Sequence, residues 1–424
     1  MPRLDLSCLT PLLALALAVA AAPARADDDA AALSLEAAPA ATPAREAPLR
    51  ASAELAVGRI DQRLPAQTVD ANRESFDLRY ATRLNEAWRI GFSDRIDNSY
   101  PPLPGQSKTL NSLREAWIGW QAPGQPDSVD FGRINFRQGP AYGYNPTDYF
   151  RTGGLRTLTT ADPVTLREMR MGTVMLRLGR MWTGGGVTLA LAPKLGNGPS
   201  TRGGSPDFGA TNANDRALLT LSERLNDRVS GQGLLLLERG RSPTLGVNGT
   251  ALVGESLVAH AEWSSSRQQS LQDRILAIPG DGQRTQQAAA GLTFTFPNSF
   301  ALTAEAEYNG AGLDRNGWNT VMAQGPAAYQ AYQALIQPSQ ELGSRRAWLL
   351  YGTMKGLGLK QLDLTAFVRS NAVDHSRLAW AELRYHWPRW DVALQWQGAS
   401  GATGTEYGSL PYRQVVQLLG VFYF

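Results

Sequence analysis

The chain has 424 residues, 42 of them glycine, and its 41 basic and 38 acidic side chains leave a net charge of +3. That balance, with no basic run, gives no reason to expect a nucleic-acid partner. Beyond the first 26 residues no apolar stretch approaches the 18 residues a membrane helix requires. The length fits two or three ordinary domains or one large barrel.

The N-terminus carries Arg3, an apolar stretch from Leu12 to Ala22, and small residues at Ala24 and Ala26 before Asp27. This is the pattern of a secretory signal peptide over residues 1–26. The single cysteine, Cys8, precedes the apolar stretch, which argues against a lipoprotein anchor. Cleavage after Ala26 leaves no thiol and no disulfide. Residues 27–50, rich in Ala, Pro and acids, are expected to form a flexible periplasmic leader.

From Ala51 onward, segments of about ten residues alternate apolar with polar side chains, the two-residue period of a strand. Phe76, Leu78 and Tyr80 oppose Asp77, Arg79 and Ala81; Leu302, Ala304 and Ala306 oppose Thr303, Glu305 and Glu307. Leu364, Ala366 and Val368 oppose Asp363, Thr365 and Arg369, and Trp390, Val392 and Leu394 oppose Asp391 and Gln395. One apolar and one charged face per strand is the arrangement of a barrel with lipid outside and water inside.

The chain ends YRQVVQLLGVFYF. Val416, Leu418, Gly420, Phe422 and Phe424 make one row and Val415, Gln417, Leu419, Val421 and Tyr423 the other. With Phe424 placed on the periplasmic side, connections walked backward should be alternately long and short. They are: 398–411 long, 387–389 short, 310–344 the longest, 297–299 tight, 266–284 long, 137–163 long, 100–109 long and 61–73 long. Among the external ones 240–243 is short and departs from the pattern. The walk predicts an all-β, antiparallel, up-and-down transmembrane barrel over residues 51–424, with 18 strands, or 16 if one hairpin is miscounted.

Two external connections stand out. Residues 310–344 contain GPAAYQAYQALIQP, which predicts a short helix between Pro326 and Gln337. Residues 131–156 hold Asn145-Pro146-Thr147-Asp148, a turn signature, among Tyr142, Tyr144, Tyr149 and Phe150 and the arginines Arg133, Arg137, Arg151 and Arg156. Aromatic rings with arginines can stack on sugars and bind anions. The same residues can instead lock a constriction loop to the barrel wall. The candidate constriction or ligand loop is Arg133, Arg137, Tyr142, Tyr144, Asn145, Asp148, Tyr149 and Arg151. Alternation assigns Arg79, His260, Glu262, Glu305, Glu307, Asp363, Arg369, Glu382 and Arg384 to the lumen. Of the 41 basic residues only Lys108, Lys194, Lys355 and Lys360 are lysines, leaving 37 arginines. This fits either genome composition or an anion-selective lumen.

Enzyme chemistry has little footing. His260, His375 and His386 are scattered, no serine has a spacing-defined histidine partner, and no Cys/His metal spacing or phosphate-cradling glycine loop exists. No cofactor or metal is expected.

The C-terminal strand resembles the closing strand of Gram-negative outer-membrane β-barrels, in which a terminal Phe is an assembly signal. That resemblance gives Phe424 the role and makes the barrel-assembly machinery and outer-membrane lipid its partners. The GR-x5-G-x3-G-x-NPTD-x-F run, with LREAWIGW (113–120) and LREMRMGTVMLRLGRMW (166–182), is similar to segments of proteobacterial outer-membrane barrels and, more loosely, of polysaccharide-export barrels. Three functions are expected from this: a porin-like pore for small polar or anionic solutes in the cell outer membrane, an exporter conduit for an anionic polysaccharide, or a structural or surface-binding barrel plugged by its loops.

Overall fold

The computed structural model describes residues 48–63, 65–102 and 107–424. The signal peptide and nearly all of the leader lie outside the described residues. Eighteen antiparallel staves form one closed sheet. They are β1 (Leu49–Gln62), β2 (Gln67–Asp70 continued by Asn72–Arg83), β3 (Trp88–Tyr100), β4 (Thr109–Gln121), β5 (Asp127–Ile134) and β6 (Thr173–Trp182). Next come β7 (Gly185–Ala192), β8 (Arg216–Asn226), β9 (Val229–Glu238), β10 (Thr244–Val253), β11 (Leu257–Gln268) and β12 (Gln283–Thr295). The last six are β13 (Phe300–Asn309), β14 (Arg346–Met354), β15 (Leu362–Asn371), β16 (Arg377–His386), β17 (Trp390–Ser400) and β18 (Tyr412–Tyr423). Each stave pairs with its neighbours in sequence, and β18 closes on β1 from Ser52↔Tyr423 to Gln62↔Tyr412. Closure pairs the first strand with the last, so the sheet satisfies most strand backbone groups, as a lipid environment demands.

The alternation reads as predicted on β18. Val416 and Leu418 are exposed, whereas Leu419 and Val421 are buried. Phe424 packs edge-on against Phe422 with ring centroids 5.0 Å apart. Its N–H donates to the Ala51 carbonyl across the closing seam at 3.1 Å. Most connections follow the predicted rhythm; Thr183–Gly184 is a two-residue hairpin in which Gly184 takes φ 92°. The connection expected to be long over 61–73 is instead tight. β1 runs to Gln62, and the chain turns and pairs again from Gln67, with Gln62 opposite Gln67. The polar run Gln67–Asp70 hid this strand, because an outer strand end above the lipid has no need of an apolar face.

Among the described residues the connections carry five helices: α1 (Pro163–Met169), α2 (Phe208–Thr211), α3 (Leu271–Ile275), α4 (Arg315–Ala323) and α5 (Pro326–Ser339). Asp162 caps α1 by accepting from the backbone N–H of Val164 and Thr165, with Pro163 preset for the first turn. α5 covers the helix predicted over 326–337. α3, α4 and α5 share a small apolar core around Leu313, Trp318, Val321 and Tyr332. Among the described residues no helix is long and apolar enough to cross a membrane.

Candidate functional site: the inward loop and the remaining lumen

The β5–β6 connection, residues 135–172, folds into the barrel. Its seat is an unusually apolar stretch of inner wall, where Met175, Ala190, Leu218, Leu234 and Leu236 point inward and pack with Phe136 and Phe150 of the loop. Burying two phenylalanines contributes about 1.5–3 kcal/mol each. On the neighbouring strands the seat is polar and anionic. Glu262 (β11) accepts from the Ala141 N–H at 2.8 Å and from the Thr147 N–H and hydroxyl at 3.1 and 2.7 Å. Glu305 (β13) accepts from the N–H groups of Tyr142, Gly143 and Tyr144 at 2.8, 2.9 and 3.1 Å. Two wall carboxylates thus take up backbone donors that a buried loop would otherwise leave unmatched. His260 lies 3.0 Å from Glu305, and Arg369 holds Glu307 at 2.5 Å.

The predicted loop residues are engaged in this fastening. Asn145 donates to Glu262 at 3.1 Å, and the Asp148 N–H closes the NPTD turn on the Asn145 carbonyl at 3.1 Å. Asp148 accepts from Arg170 at 2.5 Å. The Tyr149 hydroxyl meets Ser264 at 3.0 Å, and the Tyr142 ring packs against Tyr351 with centroids 5.4 Å apart. Arg133, on β5, ties the end of the inward loop to the β7–β8 connection, donating to the carbonyl of Gly172 in the former and to those of Pro206 and Asp207 in the latter. Arg137 has no hydrogen bond or ion pair among the described residues.

The inward loop is joined to the β13–β14 connection, which carries α4 and α5 and caps the mouth. Arg151 pairs with Glu341 and donates to the Ser339 carbonyl; the Tyr144 hydroxyl donates to Glu341 at 2.8 Å. The Gly153 N–H donates to the Pro338 carbonyl at 2.7 Å. On its far side the cap reaches the last outer connection: Tyr329 and Tyr332 donate to the Glu406 carbonyl and carboxylate at 3.0 and 2.6 Å. Burial holds the Glu406 carboxyl above its usual range, despite donation from Tyr332.

Opposite the loop's seat a polar cavity of about 520 Å³ remains, between α1 and the inner faces of β1–β4 and β15–β18. Arg50, Arg73, Arg79, Arg95, Arg114 and Arg384 line it together with Glu54, Asp77, Asp162, Glu168, Glu382 and Asp391. The wall charges are cross-paired: Arg73 and Arg95 on Glu54 at 2.5 and 3.0 Å, Arg114 on Asp77 at 2.6 Å, and Arg384 on Glu382 at 2.7 Å. Arg79 is loosely held, with 48% of its side chain exposed, 3.4 Å from Asp77.

The lumen-facing prediction therefore divides in two. His260, Glu262, Glu305, Glu307 and Arg369 lie beneath the loop and anchor it or brace its anchors. Arg79, Glu382 and Arg384 border the open cavity, with Asp363 half-exposed near them, 3.3 Å from His386. The Glu54–Arg73–Arg95–Arg114 lattice, the cap's Glu341 and its partner Glu406 in the last connection were not singled out in the sequence. Arg95 and Asp97, two apart on β3, offered a readable signal; Glu341 offered none.

Comparison with known structures gives the architecture a place. Acinetobacter baumannii OccAB1 superposes with a TM-score of 0.57 at 9% identity, over 89% of this chain and 96% of that one. Pseudomonas aeruginosa OccK5 (OpdH) does so with a TM-score of 0.55 at 12% identity, over 89% and 98%. The fold shared with these two structures is the closed, antiparallel, up-and-down β-barrel. A Rhodopseudomonas blastica porin mutant aligns over 89% and 99% at 10% identity with a TM-score of 0.45. No protein-family model and no curated protein sequence matches the chain. Among the described residues no cluster of three or more His, Cys, Asp or Glu side chains is placed to hold a metal ion.

Proposed function

We propose that this chain is a channel of the Gram-negative outer membrane that passes small polar solutes by diffusion, sorted by width and lumen charge rather than by chemistry. One observation carries this reading: the inward loop covers one side of the lumen and leaves a charged, water-compatible cavity on the other. Wide barrels keep an aqueous passage unless a loop fills it. Arg79, beside the partly shared guanidinium of Arg114, gives that passage a cationic edge suited to anionic groups on the solute. The interleaved carboxylates moderate the preference. The long-loop end is then the outer face and the Phe424 end the periplasmic face.

The fastening of the cap to the inward loop favours a second reading, a barrel plugged by its own loops that serves a structural or surface-binding role. Single-channel recording in planar bilayers separates the two. Steady open conductance is expected; its absence in correctly folded barrels would overturn the channel in favour of the plug. An exporter of anionic polysaccharide has weaker support, since a polymer needs a wider clear path. Block by acidic but not neutral oligosaccharides would be its signature.

A further inference from the structure

We propose that the outer wall of β11–β14 holds a specific site for a phosphorylated, multiply acylated glycolipid of the outer leaflet. The proposal uses the assignment of the long-loop end as the outer face and is otherwise independent of conduction.

The site is built by register. Arg267 on β11 stands directly opposite Arg284 on β12, and both side chains are exposed. Like charges directly opposite on one face of a sheet are destabilising. Here the Nε atoms are held apart on other acceptors, Arg267 on the Gly282 carbonyl and Arg284 on the Ser265 hydroxyl, each at 3.2 Å. Arg346 opens β14 on the same outward face, opposite Tyr308 of β13. Among the described residues no carboxylate pairs with any of the three. Elsewhere on this barrel, closely set arginines share acids, as Arg73 and Arg95 share Glu54.

Beneath Arg267 and Arg284 the next outward pair is Ser265 and Gln286, and below that pair, level with and beneath Arg346, the outward face turns apolar. Trp263 and Trp348 project from β11 and β14. Between them the register sets Ala288 beside Trp263, and Ala261, Ala290 and Ala306 in the row that ends at Trp348. The outward direction follows from the opposite faces of the same strands, where Glu262, Ala289, Glu307 and Leu349 are buried inside the barrel. Tryptophans at this height belong to a membrane interface belt. An alanine floor between two indoles gives acyl chains a shallow bed, and the three guanidiniums along its long-loop margin, none with a carboxylate partner, meet phosphates through two-pronged hydrogen bonds. Charge complementarity thus selects an anionic headgroup over a zwitterionic one, and the arginines' position at the outer rim selects the outer-leaflet lipid.

The test is native mass spectrometry of the full barrel in detergent, titrated with a bisphosphorylated hexa-acyl glucosamine disaccharide lipid, its dephosphorylated form and phosphatidylglycerol. The phosphorylated glycolipid is expected to bind at least tenfold more tightly than either of the others. R267Q/R284Q/R346Q should lose roughly fivefold per arginine, on the order of a hundredfold together. R267K/R284K/R346K, which keeps the charge but not the two-pronged geometry, should lose less than the glutamine variant but more than wild type, and A261L/A306L should weaken binding with all arginines in place. R377Q, an exposed rim arginine of β16 outside the patch, should change nothing. Heat-modifiable migration confirms that each variant is folded. Unaltered binding by the triple glutamine variant would overturn the site. Equal retention of phosphatidylglycerol would overturn the choice of lipid. Loss of an oligomer in that variant with no lipid mass released would mean that a second copy covers the patch. A wild type that binds the glycolipid yet never conducts would refute the channel and leave this site standing.

Discussion

Glu262 accepts both the backbone N–H and the hydroxyl of Thr147, at 3.1 and 2.7 Å, so one wall side chain pins the deepest turn of the inward loop. The inward loop is fastened to the barrel wall through a few buried carboxylates.

Removing that pin should loosen the loop before it unfolds the barrel. E262A leaves the Ala141 and Thr147 N–H groups buried without acceptors, each at about 1–3 kcal/mol. The expected result is noisier current with sub-states, in a barrel that still shows heat-modifiable migration. Deleting Tyr142–Phe150 altogether should raise the conductance; an unchanged value would place the loop outside the conducting path.

Arg151 and Glu341 join the loop to the cap. R151M or E341Q should expose residues 310–345 to protease while the strands stay protected. In a double-mutant cycle read by thermal unfolding, a coupling of about 0.5–3 kcal/mol is expected for such a contact pair. Additive effects would mean that loop and cap are held independently.

Selectivity should respond at Arg79. Its half-exposed guanidinium acts through water, where a unit charge at about 4 Å is worth about 1 kcal/mol. R79Q should therefore lower the anion-to-cation permeability ratio by up to about fivefold, measured as reversal potential in a salt gradient. The shift should shrink as ionic strength rises. An identical reversal potential at low salt would remove Arg79 from the permeation path.

Glu406 gives the cap a pH dependence of known sign. Its folded-state pKa is raised by burial above the ordinary value of 4.5. The folded form thus binds the proton more tightly than the unfolded form, and this group's contribution is complete below about pH 4.5 and is lost as pH rises through the folded value. The latch between 401–411 and the α4–α5 cap should resist protease better at pH 5 than at pH 8. E406Q should flatten that difference.

At the seam, deletion of Phe424 removes the ring packed edge-on against Phe422 and the N–H donated to the Ala51 carbonyl. Assembly into the outer membrane is expected to fall sharply, with little change in conductance of the barrels that do assemble. Normal outer-membrane yield of the deletion would count against an assembly signal at this residue.

Much of this molecule was legible from periodicity. Two-residue alternation marked most of the staves and their inner faces, since lipid on one side and a polar interior on the other impose opposite demands on successive residues. It went silent at Gln67–Asp70, where an outer strand end lies beyond the lipid. It was also ambiguous at Leu234–Leu237, an unbroken apolar run with the membrane on one face and the inward loop on the other. That double burial was the one trace in the strands of where the loop would sit.

The sequence by itself determined the barrel and which end carries most of the long connections, and narrowed the strand count to 18 or 16, because each strand's lipid-facing row is a local demand written into its own residues. Only the tertiary structure decided what the inward charges do. Glu262, Glu305 and Arg79 are alike in pattern, each an inward charge on an alternating strand. Folding the loop against β6–β13 turned the first two into anchors and left the third at the edge of open water. A charge's role depends on what crosses the lumen to meet it, and alternation along one strand carries no information about a segment more than a hundred residues away.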